Sequence, residues 1–149
     1  MTAKEHALAL LNRRDYSREE LLKKLLEKGE EPEAAEAAVD RLVEIGFVDD
    51  ARYARLIVRH YAAKGYGPRC VKQELHHRGI PAELFDEAME QMPEQDETVD
   101  RLLRSRLKSE APDRGELKKA SDFLLRKGYS WDEINAALRR YQASIGDEY

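Results

Sequence analysis

Hydrophobic positions in this chain recur at spacings of three and four residues, and strict alternation is nearly absent. That period predicts amphipathic helices rather than half-buried strands. Leu21, Leu22, Leu25 and Leu26 form one apolar stripe. Ala35, Ala38, Val39, Leu42 and Ile45 form a second, and Tyr53, Ile57, His60 and Tyr61 a third. Val71 and Leu75 follow, then Leu84, Phe85, Ala88 and Met89, then Val99, Leu102, Leu103, Arg106 and Leu107. Two further helices, one from about Arg114 to Gly128 and one bearing Trp131, Ile134, Leu138 and Tyr141, bring the expectation to nine.

The punctuation agrees with the stripes. Ser17 with Glu20, and Ser130 with Glu133, have the spacing of a capping box, in which hydroxyl and carboxylate satisfy reciprocal backbone N–H groups. Pro32, Pro68 and Pro81 stand where a helix can start without needing an N–H. The Asp49-Asp50 pair suits another helix start, where negative charge meets the positive dipole end. Gly29, Gly46, Gly79 and Gly128 are placed to end helices in the left-handed conformation.

Alignment on three of those glycines exposes a repeat. Leu25, Leu75 and Leu124 lie four residues before Gly29, Gly79 and Gly128; Leu21, Val71 and Ala120 lie eight before. A basic residue, Lys28, Arg78 or Lys127, directly precedes each glycine, and a new helix starts soon after at Pro32, Pro81 or Ser130. A period of about 50 residues predicts an all-α fold of three tandem three-helix repeats, elongated and curved, with segments 1–48, 49–92 and 93–149. Charged residues make up 38% of the chain and aromatics 7%, with mean hydropathy −0.75. So polar a chain cannot fill one thick core, but stacked units need only thin stripes.

The net charge is −4, so any attraction for a polyanion must be local. One cysteine, Cys70, excludes an internal disulfide and suits a reducing compartment. No signal sequence or membrane-spanning run is evident, so a cytoplasmic monomer is expected. Chemistry is hard to find. His76 and His77 are adjacent and diverge around a helix, Gly65 and Gly67 lack the following Lys-Ser/Thr of a phosphate loop, and no catalytic constellation stands out. The reading is therefore a binding protein, with no enzyme activity, cofactor or metal expected.

Charge patterning supplies the candidate surface. Between Arg52 and Arg78 the basic residues are Arg52, Arg55, Arg59, Lys64, Arg69, Lys72 and Arg78, opposed by Glu74 alone. Spacings of three and four put Arg52, Arg55 and Arg59 on one helix face, while the first segment carries Glu27, Glu30, Glu31, Glu33 and Glu36. Such one-sided charge suits a polar partner met in a fixed orientation.

The run Asp15-Tyr16-Ser17-Arg18-Glu19-Glu20-Leu21 with Lys28-Gly29 resembles the first-repeat signature of the RecX family, regulators of the recombinase RecA. So does Gly46-Phe47-Val48-Asp49-Asp50-Ala51-Arg52-Tyr53-Ala54, continued by Gly65-Tyr66-Gly67-Pro68, Glu74-Leu75 and Arg78-Gly79-Ile80. The resemblance implies a bacterial cytoplasmic protein that binds RecA, chiefly as the RecA–DNA filament. It also implies modulation, usually inhibition, of strand exchange, ATP hydrolysis and LexA self-cleavage, with at most weak direct DNA contact. The alternative from the three-helix units is a helix-turn-helix-like DNA-binding protein, which would concentrate base-reading side chains on one helix.

Overall fold

The structure, a computed structural model, describes residues 1–107 and 111–146. The predicted third segment also contains 108–110 and 147–149, which lie outside the described residues. Among the described residues the chain has nine α-helices and no strand. They are α1 (Ala3–Leu11), α2 (Arg18–Glu27), α3 (Pro32–Glu44), α4 (Asp50–Ala63), α5 (Pro68–His77), α6 (Phe85–Met89), α7 (Asp96–Arg106), α8 (Arg114–Lys127) and α9 (Trp131–Gly146). A 3₁₀ turn, Ala82–Leu84, precedes the short α6.

Five helix ends share one design. Gly29, Gly46, Gly65, Gly79 and Gly128 all have positive φ. After each, the next residue's N–H reaches back to a carbonyl five positions earlier: Glu30 to Leu25, Phe47 to Leu42, Tyr66 to Tyr61, Ile80 to Leu75 and Tyr129 to Leu124. Each glycine N–H bonds the carbonyl three residues before it, which completes a Schellman cap. This explains the Leu-x-x-x-Gly spacing. The leucine's carbonyl closes the cap while its side chain enters the core, and Leu25, Leu75 and Leu124 are all fully buried. Leu21, Val71 and Ala120 are buried one turn below.

The chain forms two compact units, Met1–Val58 with Glu74–Met89, and Arg59–Gln73 with Glu90–Tyr149. In the first, α1, α2 and α3 enclose Ala7, Leu10, Leu21, Leu25, Val39 and Leu42. In the second, α7, α8 and α9 enclose Val99, Leu103, Leu124, Tyr129, Ile134 and Ala137. Three apolar positions from the stripes lie outside. Ile45 follows the last residue of α3, where Gly46 turns the chain away, and is 39% exposed; Leu26, on the flank of α2, and Trp131, at the start of α9, are also exposed.

Each unit contains a hydrogen-bonded junction between helix ends. In the first, Ser17 caps α2 as its Oγ accepts from Glu20 N–H (3.0 Å), and that same Oγ donates to the carbonyl of Arg78 at the end of α5 (2.5 Å). Ser17 is fully buried. Ser17→Ala removes both bonds and is expected to cost about 1 to 3 kcal/mol in urea denaturation. In the second, the N-terminus of α5 meets the C-terminus of α8. Gly67 N–H donates to Lys127 O (2.7 Å), Arg69 N–H to Gly128 O (3.1 Å), and Cys70 Sγ–H to Arg126 O (3.2 Å). The positive end of one helix dipole thus faces the negative end of another.

Beside this junction the buried Tyr129 hydroxyl donates to Gly65 O (2.8 Å). Burial pushes the phenol up to about 12, from 10 in the unfolded chain. Below pH 10 both states hold the proton and the stability is fully present. Between pH 10 and 12 the unfolded chain alone releases it, so stability falls by roughly 2 to 3 kcal/mol. Tyr129→Phe is expected to reduce that alkaline loss, measured as denaturation midpoint against pH.

Candidate protein-partner interface

The basic residues of α4 and α5 divide by what they touch. On α4, Arg52, Arg55 and Arg59 lie opposite the buried Tyr53, Ala54, Ile57 and Val58, as their spacing requires. Arg52 is exposed, and its side chain has no carboxylate partner among the described residues. Arg55 donates to Glu87 Oε1 (2.6 Å), and Arg59 donates to Gln91 Oε1 (3.1 Å). Both guanidinium groups retain further N–H donors for another acceptor.

The other four are less alike. Lys72 is exposed and has no ion pair among the described residues. The Lys64 ammonium lies 5.7 Å from the Tyr61 ring centroid. Arg69 and Arg78 do structural work. Arg69 Nη2 donates to the Leu125 carbonyl at the end of α8. Arg78 Nε donates to Glu74 Oε1 (2.7 Å), and Arg78 Nη1 to the Tyr53 hydroxyl (2.9 Å). Arg14 donates to that same hydroxyl at 3.4 Å. Burial raises the Tyr53 phenol above its usual value and Glu20 adds to this, while the Arg78 and Arg14 charges act the other way.

Beside Arg78, a cleft of about 280 Å³ in the first unit is lined by Arg14, Glu19, Lys23, Lys24, His77 and Arg78, among others. Its mixed signs make it a polar recess without a dominant charge. The start of α4 is held by Asp50, whose Oδ1 accepts from Arg18 N–H (2.8 Å). Burial raises the Asp50 carboxyl above its ordinary value, opposed by that N–H. Arg18 also pairs with Asp40 (2.5 Å). Arg18 and Asp50 therefore tie the start of α2 to the start of α4, while Glu20 and Asp49 serve the caps of their own helices.

Two features escape local spacing. Phe47 is 55% exposed and lines an open apolar groove with Leu8 and Leu11. In the second unit, Arg106 and Lys127 lie over the rings of Phe123 and Tyr66. These partners are remote in sequence, apart from the Phe123–Lys127 spacing of four. Among the described residues no group of three or more His, Cys, Asp or Glu side chains could hold a metal ion. Nor is any described helix long and apolar enough to cross a membrane.

Known proteins match the chain over nearly all of its length. It matches three family domains: "RecX, first three-helix domain" over residues 3–42, the second over 49–89 and the third over 94–138. It is 41% identical over 140 residues to the regulatory protein RecX of Xanthomonas axonopodis pv. citri (strain 306), covering 93% of this chain and 86% of the relative. It is 42% identical to that of Xanthomonas oryzae pv. oryzae (strain MAFF 311018), covering 93% and 88%. In fold, it superposes on the crystal structure of RecX from Lactobacillus salivarius with TM-score 0.86 at 23% identity, covering 95% of each chain. A second crystal structure, of regulatory protein RecX, gives TM-score 0.82 at 25% identity, covering 92% of this chain and 70% of that one. With all three family domains present in order and about two-fifths of residues identical over most of its length, the chain belongs to the RecX family of regulatory proteins.

Proposed function

We propose that this protein regulates the RecA recombinase in the bacterial cytoplasm, as a binding protein without catalysis of its own. Its target is the RecA–DNA filament. Its effect is inhibition of ATP hydrolysis, strand exchange and LexA self-cleavage. The observation that carries the reading is family membership over all three repeats. The segments 1–48, 49–92 and 93–149 are taken as its modules.

The α4 face of Arg52, Arg55 and Arg59 is the proposed contact, supported by its exposure and by the donors it keeps available. Lys64 and Lys72 extend the surface. Arg69 and Arg78 contribute chiefly by holding helix ends in place. Guanidinium groups are suited to a filament's carboxylates or phosphates because their planar fork can bond two oxygens at once.

The test is RecA ATPase on single-stranded DNA with increasing amounts of this protein. Wild type should suppress hydrolysis, and suppression should weaken as salt rises. The variant Arg52→Glu/Arg55→Gln/Arg59→Glu should keep its helicity, because Arg55→Gln leaves a hydrogen-bonding head opposite Glu87. It should require at least tenfold more protein for the same suppression. A folded triple variant that inhibits at wild-type concentrations would reject this face. No effect of wild type on ATPase, strand exchange or filament binding would reject the recombinase itself.

A further inference from the structure

The cleft of about 280 Å³ in the first unit is walled by α2, by Arg14 and by the end of α5. Some of its charges are already engaged. Arg14 donates to the Tyr53 hydroxyl and to Glu20, Glu20 accepts from the Ser17 N–H, and Glu27 lies 3.9 Å from Lys24. Glu19, Lys23 and His77 differ. All three are exposed, and their side chains have no ion pair or hydrogen bond among the described residues. Glu19 and Lys23 stand four apart on α2, and a Glu four residues before a Lys is the arrangement that forms an ion pair along a helix. Here the Glu19 side chain lies instead over the cap of α5, where a Cβ on Gly79 would stand 2.8 Å from its Oε2. Lys23 is left without its usual counter-charge.

The cleft therefore presents one negative and one positive group from the same helix, at backbone positions about 6 Å apart along its axis. The occupant must use both signs. Phosphates of a nucleic acid would meet Glu19, Glu20 and Glu27 as well as the cations, and those carboxylates repel them. A small molecule needs a mostly apolar pocket that encloses most of its surface, whereas every side chain lining this cleft is ionisable. A protein segment needs only matching charges in the cleft, because the rest of its contact area lies outside it.

We propose that this cleft is a docking site for a protein segment that carries a cationic and an acidic side chain one helical turn apart. The segment's cation meets Glu19 and its carboxylate meets Lys23, while His77 offers a ring nitrogen from the end of α5. The inference rests on the reading of the chain as a regulator of the recombinase, and it assigns the segment to the recombinase. It adds a contact of mixed sign to the arginine face of α4.

The experiment is biolayer interferometry of the full-length protein on RecA filaments assembled on a biotinylated single-stranded oligonucleotide, beside the bare oligonucleotide. The variant Glu19→Lys/Lys23→Glu exchanges the two charges and keeps the net charge. It should raise the concentration for half-saturation of the filament at least fivefold and leave binding to the bare strand unchanged. Lys4→Gln, on α1, should change neither. Circular dichroism melts identify a swap that has lost its fold, and Glu19→Gln/Lys23→Gln then stands in, with the same loss expected. A folded swap that binds the filament like wild type would overturn the docking site and leave the regulator reading intact. Equal losses on filament and bare strand would also overturn it, by making nucleic acid the occupant. No binding of wild type to the filament would reject the recombinase as target, and this assignment with it.

Discussion

Gly128→Ala is expected to lower stability by roughly 3 kcal/mol or more, whereas Gly29→Ala costs roughly 1 to 2 kcal/mol. The two glycines have similar backbone angles, φ +104° and +91°, so the left-handed penalty is shared. Their surroundings differ. A Cβ on Gly29 meets nothing within 4 Å, but one on Gly128 would stand 2.6 Å from the backbone nitrogen of Cys70. A main-chain atom inside a helix cannot swing aside as a side chain can. Gly67→Ala meets the opposite wall of the same junction, 2.6 Å from the Gly128 carbonyl carbon, and should be comparably damaging without any positive φ. Urea denaturation followed by circular dichroism and by the single tryptophan, Trp131 of the second unit, checks the order. Equal losses at Gly29 and Gly128 would show that backbone conformation alone matters and that the junction gives way freely.

The second large effect is expected at the leucines that close the caps. Leu25→Ala, Leu75→Ala and Leu124→Ala should each cost about 2 to 5 kcal/mol, because all three side chains are fully buried and truncation leaves a cavity. Leu26→Ala, next to Leu25 but 42% exposed, should cost less than about 1 kcal/mol. The alanine keeps the carbonyl that accepts the cap bond, so the loss reports packing and not the turn. If two of the three leucines tolerated truncation, the repeat alignment would describe a shared turn without a shared core.

These positions could be read from the sequence because their causes are local. A capping box spans four residues and a Schellman cap six, so Ser17, Gly29, Gly79 and Gly128 announce themselves. Ile45 misled because its stripe continued one residue beyond the helix, and only Gly46 decides where that helix stops. The basic segment was legible as charge but not as geometry. Arg69 and Arg78 look like Arg52 in sequence, yet their partners are a distant carbonyl, a nearby carboxylate and a tyrosine hydroxyl. Phe123 and Tyr66 share a cation only because α8 meets the start of α5, and no spacing within one helix encodes that meeting.

The meeting of α8 and α5 also bears on how such a chain can change over generations. Its contacts are peptide groups and two glycines, joined by the Arg69 guanidinium and the Cys70 thiol, so side chains other than these two can be replaced with little effect on the joint. Length is another matter. One inserted residue in α8 would turn its end by about 100° around the helix axis and advance it by about 1.5 Å, carrying the carbonyls of Lys127 and Gly128 away from their donors. Repeats joined in this way can drift far apart in composition while the number of residues between start and stop stays fixed.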